Sequence, residues 1–479
     1  MIELLSYIFI VIQKKRVIKM SDTIAAISTA LGEGGIGIVR ISGPRSLEIM
    51  REIFAECPEI VKPRYAYFGH IVADNSELID EAIFLYMIGP ASYTGEDMLE
   101  IQAHGSNVSL RKILRETIHK GARLAEPGEY TKLAFLNGKM DLSQAEAVID
   151  IIKAKTEYSL EIAESQLKGR LGRTVSTIRA EILDVLAQMA VNIDYPDEDI
   201  EQESYDSYID TLRLNLSDCK ELLDTAGIGK ISRDGIKIAI VGKPNVGKSS
   251  LMNALLGEGR VIVTDIPGTT RDTVEESANI DGIPIVLIDT AGIRDTEDTV
   301  ERIGIEKTKD ALNNSDMAIF VIDGSMKLDE EDEEIIYLLN NARKGRSIVV
   351  INKEDVGTVI SEEDLRARLP ESTIITTTLV GFGAISGARS ISDAIAEFFK
   401  MGSINPSENS IVTSERHVHL LESACDNIEQ AIYMLEEGTA LELVELNVRY
   451  AYEELGQIIG EAVGDEILDT VFSKFCLGK

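Results

Sequence analysis

The sequence predicts a multidomain protein of α/β plus α class, with a mostly parallel sheet, helices on both faces, inserted into a helical domain and preceded by an α+β domain. Three observations predict it. The runs IKIAIVG, IPIVLID, MAIFVID and SIVVIN alternate with helical stretches between residues 236 and 352, as strands buried on both faces of a parallel sheet do. Helical apolar stripes stand on both sides of that segment. Ahead of them, residues 21–136 mix short apolar runs with glycine-bearing turns.

In the α+β part, IGIVRIS (36–42), YFGHIV (67–72) and EAIFLYMI (81–88) read as strands and Ser109–Ile118 as a helix. Next, Leu160, Ala163, Leu167, Leu171, Val175, Ile178, Ile182, Leu186, Met189 and Ile193 step by three or four residues. They predict one long helix, weakened at Gly169 and Gly172 and ended by Tyr195-Pro196. A second helical segment runs to about residue 224. After residue 411 the period returns, with Leu441, Val444, Val448, Leu455, Ile458 and Ala462 on one face. Neither half buries its stripe alone, so the two read as one domain interrupted by the α/β insertion.

A chain of 479 residues suggests about three domains. The expected partition is 1–19 a non-native start or disordered extension, 20–137 the α+β domain, 138–232 the first helical part, 233–402 the insertion, and 403–479 the second helical part. The first segment is set apart because the apolar run Leu4–Ile12 is too short to span a bilayer. Its basic residues Lys14, Lys15 and Arg16 follow the run instead of preceding it, as they would in a signal peptide, and Met20 then opens the globular sequence.

The net charge of −33, taken alone, argues against a protein that coats nucleic acid and suits one that meets it through a local patch. Lys168, Arg170, Arg173 and Arg179 form one basic group, which a solvated helix face explains equally well. Cys57, Cys219, Cys425 and Cys476 are scattered without metal-ligand spacing, as reduced thiols of a cytoplasmic protein are. His104 and His119 have no spacing that demands catalysis.

Chemistry concentrates in the insertion. Gly242-Lys-Pro-Asn245-Val246-Gly247-Lys248-Ser249 matches a P-loop, after a strand and before the helical run that Ser250 opens. Its backbone N–H groups cradle phosphate at a helix N-terminus, Lys248 reaches the β- and γ-phosphates, and Ser249 ligates Mg²⁺. Gly268-Thr269-Thr270-Arg271-Asp272 lies where a first switch belongs. Asp289-Thr290-Ala291-Gly292 ends the strand IPIVLI, as a Mg²⁺-side carboxylate and a γ-phosphate-sensing glycine do. Asn352-Lys353-Glu354-Asp355 ends SIVVI, and its Asp355 can accept from the N1–H and N2–H₂ edge of guanine. Adenine lacks that donor pair, so the ordered motifs imply a G domain that takes GTP. Asp224-Thr-Ala-Gly227 repeats one motif after a helix and reads as a helix end, with Gly227 as its stop. Where Ras-like proteins place a water-orienting glutamine stands Ile293, which leaves the acidic residues of Arg294–Glu301 as candidates. Ser386-Gly387-Ala388 is a weak candidate for the last base-contacting loop.

These motifs alone also suit ribosome-assembly GTPase switches of the Era or EngA (Der) type, which stand as the alternative. The flanks carry a closer resemblance. IAAISTALGEGGIGIVRISGP (24–44), YTGEDMLEIQAHG (93–105), PGEYTKLAFLNGKMDLSQAEAVIDII (127–152) and the terminal Phe475-Cys476-Leu477-Gly478-Lys479 are similar to the MnmE (TrmE) family of tRNA-modification GTPases, over about residues 20–479. The family's proline near Ala30–Leu31 is missing here.

The resemblance implies that Glu301 is catalytic. It implies K⁺ in place of an arginine finger, held by Asn245, Thr264, Ile266 and Thr269, with Thr270 on Mg²⁺ and with Asp265, Pro267 and Gly268 in the same nucleotide-contacting loop. A fixed cation there neutralises charge growing on the β–γ bridge. It further implies an N-terminal domain that forms the homodimer and binds 5-formyl- or 5,10-methylene-tetrahydrofolate through Arg40, Glu100, Lys139 and Lys479, while Cys476 is structural or peripheral. The implied reaction modifies C5 of the wobble uridine of certain tRNAs. It takes place in the cytoplasm, away from membranes, in a heterotetramer with the FAD-dependent MnmG (GidA).

Overall fold

The computed structural model describes residues 22–30, 32–194, 205–259, 275–280, 283–289, 308–341, 346–370, 373–377, 380–381, 384–385, 391, 394–395 and 409–479. Thr264–Thr270, Thr290–Gly292, Ile293, Glu301, Ser386 and the 1–19 segment lie outside them. The chain divides into two compact units, one of residues up to 146 with 459–479, the other of 147–458. No helix among the described residues is long and apolar enough to cross a membrane.

The first unit contains β1 (Ile24–Ile27), β2 (Gly34–Ser42), α1 (Ser46–Ile53), β3 (Ala66–Val72), β4 (Leu78–Met87), β5 (Met98–Gly105), α2 (Asn107–His119), β6 (Arg123–Leu124) and α3 (Glu129–Leu136). Its sheet has the order β3-β4-β5-β2-β1-β6 and is antiparallel except at β1–β6. Alternate residues of β2, β4 and β5, such as Val39, Ile41, Phe84, Leu99 and Ile101, turn inward onto Ile49, Ile53, Leu110 and Ile113 of the two helices. The chain end returns to this unit. In it Lys132 of α3 pairs with Asp469 at 2.6 Å, and the ring of Phe472 packs beside that of Phe475 at 5.4 Å. The helix that carries Asp469, Asp465–Phe472, thus makes its contacts within the first unit.

The helix α4 (Leu142–Lys153) carries the chain onward to α5 (Glu157–Leu167), α6 (Arg170–Asp194), α7 (Tyr205–Asp224) and α8 (Ala226–Asp234). The single helix expected over 160–193 is two helices. Gly169 has φ 74, a left-handed conformation that ends α5, and its N–H donates to Gln166 O at 2.8 Å. Gly172, by contrast, sits inside α6. Gly227 stops nothing: α7 ends at Asp224, and Gly227 lies in the first turn of α8. Thr225 supplies the punctuation instead, its hydroxyl donating to Leu222 O and accepting from Val412 N. Arg179 is likewise no solvated charge. It is 7% exposed, donates to Tyr452 O at 3.2 Å and lies 4.2 Å from the Tyr452 ring centroid.

The sheet of the second unit consists of β7 (Ile236–Val241), β8 (Glu275–Ile280), β9 (Ile283–Asp289), β10 (Met317–Asp323), β11 (Ser347–Asn352) and β12 (Ile374–Thr377), with α9 (Lys248–Gly259) and α10 (Glu330–Asn340) between them. Its order is β12-β11-β10-β7-β9-β8, parallel except at β8–β9. Ile238 and Ile240 pack with Leu251 and Leu255 of α9, whereas Ala239 and Val241 pack with Ile336 and Leu339 of α10. The inner strands β7, β10 and β11 are thus buried on both faces, which is why their runs are continuously apolar. Helices α11 (Glu415–Glu436) and α12 (Leu441–Ile459) follow. Val444, Val448, Leu455 and Ile458 are buried along α12, while Ala462 lies beyond it at φ 56.

Candidate functional site

Strand β7 lies between β9 and β10, so the chain leaves it to one side through α9 and later returns to its other side. Parallel sheets open a crevice at such a reversal, outside the carboxyl ends of the strands. The motifs collect at that edge: the loop 242–247 follows β7, Asp289 ends β9 opposite Ile240, and Asn352 ends β11 opposite Asp323.

Hydrogen bonds fix the loop. Lys248 is 9% exposed, and its ammonium donates to Gly242 O and Lys243 O, each at 2.7 Å. The curl puts Asn245 at φ 64 and Gly247 at φ 107, and asparagine is among the few side-chain residues that accept a left-handed backbone readily. The buried Asn352 carboxamide donates to Val246 O at 2.8 Å, tying the end of β11 to the loop after β7. Ser249 and Ser250 stand in the first turn of α9, whose free N–H groups and dipole favour an anion. Lys353 pairs with Asp323 at 2.7 Å. Burial pushes the Asp323 carboxyl up, but Lys353 and two hydrogen bonds from Ser325 outweigh it and hold it below its ordinary range. Asp355 follows in a short 3₁₀ turn, Glu354–Val356.

Two features were missed in the sequence. Lys243 pairs with Asp329 at 2.6 Å and Asp332 at 2.7 Å, and Asp323 serves as the partner of Lys353. The only sequence signal was the acidic run Asp329–Glu334 at the head of a helical stretch.

A second cluster lies in the first unit. Arg40 and Glu100 are register partners on β2 and β5, joined at 2.8 Å, and Arg40 also donates to Gly478 O at 3.4 Å. The rings of Tyr93 and Tyr130 flank the guanidinium at 5.8 and 5.7 Å. Burial lowers the pKa of Lys479, and the neighbouring charge of Arg40 lowers it further against the pull of Glu100. Arg40, Glu100 and Lys479, 439 residues apart at the extremes, thus share one site. Lys139 has a different partner, donating to Pro90 O at 2.8 Å, in the loop that also carries Tyr93.

Comparison with known proteins reads this architecture as a whole. The family model of the MnmE helical domain matches residues 142–476, and that of the GTP-binding protein TrmE N-terminus matches residues 23–139. A tRNA modification GTPase MnmE of Clostridioides difficile is 46% identical over 464 residues, covering 96% of this chain and all of that protein. Its counterparts in Alkaliphilus oremlandii and Alkaliphilus metalliredigens are 44% and 42% identical over 465 residues, with the same coverage. With a phosphate loop at the head of a parallel sheet and relatives matched along their whole length, the chain is a GTP hydrolase and belongs to the MnmE family of tRNA modification GTPases.

Proposed function

We propose that this protein hydrolyses GTP in a K⁺-dependent reaction and, with the FAD-containing partner MnmG (GidA), uses a tetrahydrofolate one-carbon unit to modify C5 of the wobble uridine of certain tRNAs. The observation that carries the reading is the 46% identity to a tRNA modification GTPase that is matched from end to end.

The residues suit these roles. The hydrogen-bonded loop at Lys248 fits a triphosphate, with Ser249 and Thr270 offering hydroxyls to Mg²⁺ and Asp289 on the same side. Asn245 offers a carboxamide oxygen to K⁺, with Thr264, Ile266 and Thr269 as the other ligands. Potassium would supply positive charge beside the β–γ bridge, and Glu301 would orient water where Ile293 cannot. Asp355, with Asn352 and Lys353, selects guanine. Arg40 and Lys479 give cationic contacts to an anionic folate, 5-formyl- or 5,10-methylene-tetrahydrofolate, with Glu100 and Lys139 completing the set. We assign residues 20–137 to folate binding and homodimer formation, 233–402 to the G domain, and 138–232 with 403–479 to the helical domain, in a cytoplasmic protein.

GTP turnover by the full chain in KCl and in NaCl tests the first half. Faster turnover in KCl is expected, and equal rates would remove the potassium mechanism. Titration with 5-formyl-tetrahydrofolate tests the second half independently. Absence of binding with Lys479 intact would overturn the folate assignment.

A further inference from the structure

The phosphate loop carries a lysine besides the one that meets nucleotide, and its side chain points to a separate anchor. Asp329 caps the N-terminus of α10, accepting from Glu331 N at 3.1 Å and Asp332 N at 3.3 Å, while Asp332 accepts in return from Asp329 N at 3.2 Å. Both carboxylates of this reciprocal cap also accept from the one ammonium of Lys243. Asp332 is 2% exposed, so its charge is withdrawn from water and Lys243 is its counter-ion. The main chain of Lys243 meanwhile accepts from the ammonium of Lys248. One residue therefore fixes the nucleotide-facing lysine with its carbonyl and the first turn of α10 with its side chain.

We propose that Asp332, acting with Asp329 through Lys243, is a positioning residue for nucleotide binding: it preorganises the phosphate loop before nucleotide arrives. An unanchored loop must be ordered at the expense of binding energy, so the loss falls on affinity before turnover.

The test uses the full chain. In Asp332→Asn, the Kd for a fluorescent GDP analogue and the KM for GTP should each rise about tenfold while kcat stays within about twofold. Asp329→Asn is the second variant, for the case in which Asp332→Asn does not fold. Asparagine caps a helix as well as aspartate, so α10 keeps its start while Lys243 loses one anchor, and a rise in Kd of about threefold is expected. In the cycle with Lys243→Met, the double variant Lys243→Met/Asp332→Asn should bind no more weakly than the weaker single variant, because both break one connection. Native affinity in a folded Asp332→Asn or Asp329→Asn protein would overturn the proposal, as would losses that simply add in the cycle.

Discussion

Arg40 and Glu100 face each other across neighbouring strands, with Nε and Nη2 of the guanidinium both donating to one carboxylate oxygen, at 3.0 and 2.8 Å. Glu100 also draws on the charge of Lys479, which Arg40 opposes. Replacing Glu100 with glutamine leaves two cations facing each other in a half-buried site. Full-chain urea unfolding should show a loss of about 1–3 kcal/mol, partly regained in Glu100→Gln/Lys479→Met. A loss under about 0.5 kcal/mol would place the pair in the class screened by solvent.

Gly247→Ala should remove nucleotide binding without unfolding the sheet. At φ 107 an L side chain is strained by about 1–3 kcal/mol. An added Cβ would also overlap the Asn352 carboxamide, which holds Val246 O. Loss of GDP binding with retained circular dichroism is the expected result. Native affinity in the variant would show that the loop bends differently.

The imidazole of His104 gives a pH-dependent observable. Asp80 lies 2.7 Å from its Nδ1, and that hydrogen bond, with the carboxylate charge, raises its pKa above 6.5. Because the folded value is the higher one, the stabilisation is complete below pH 6.5 and is lost as pH rises through the raised value. An NMR titration of the ring proton should place its midpoint above 6.5 and return it to about 6.5 in Asp80→Asn. A midpoint unmoved by that substitution would remove the ion pair.

Thiol labelling should sort the cysteines by burial. Cys476 is exposed, Cys57 half-buried, and Cys219 and Cys425 buried. The adjoining Cys425 and burial push the Cys219 thiol far up, and burial raises that of Cys57. Only thiolate reacts. The hydrogen bond with Cys219 lowers the pKa of the Cys425 thiol, but its burial keeps reagent away, so a disulfide reagent at neutral pH should modify Cys476 first and Cys57 slowly, reaching Cys219 and Cys425 on denaturation alone. Mass mapping of the native protein checks this, and early labelling of Cys219 would contradict it.

What was legible in the sequence followed short-range physics. The strands around β7 were visible because burial on both faces forces a continuous apolar run, and the phosphate loop because backbone geometry dictates its glycines. The break at Gly169 was harder to see, since the stripe continues across it and only the local backbone turns. Arg179 read as a surface charge because the Tyr452 ring and carbonyl that receive it lie 273 residues away. The same distance problem hid Lys243, whose partners come from a different element. Arg40, Glu100 and Lys479 could be grouped through resemblance alone, because spacing along the chain carries no trace of a contact between its two ends.

The return of residues 459–479 to the first unit sets an order on biosynthesis. Roughly 300 residues separate its two pieces in the chain, so on the ribosome the first piece waits while the whole second unit is translated. During that interval the surface of α3 that receives Phe472 and Asp469 is uncovered, and chaperones or another nascent copy can reach it. Loss of residues 465–479 would therefore leave that surface of the first unit uncovered for good.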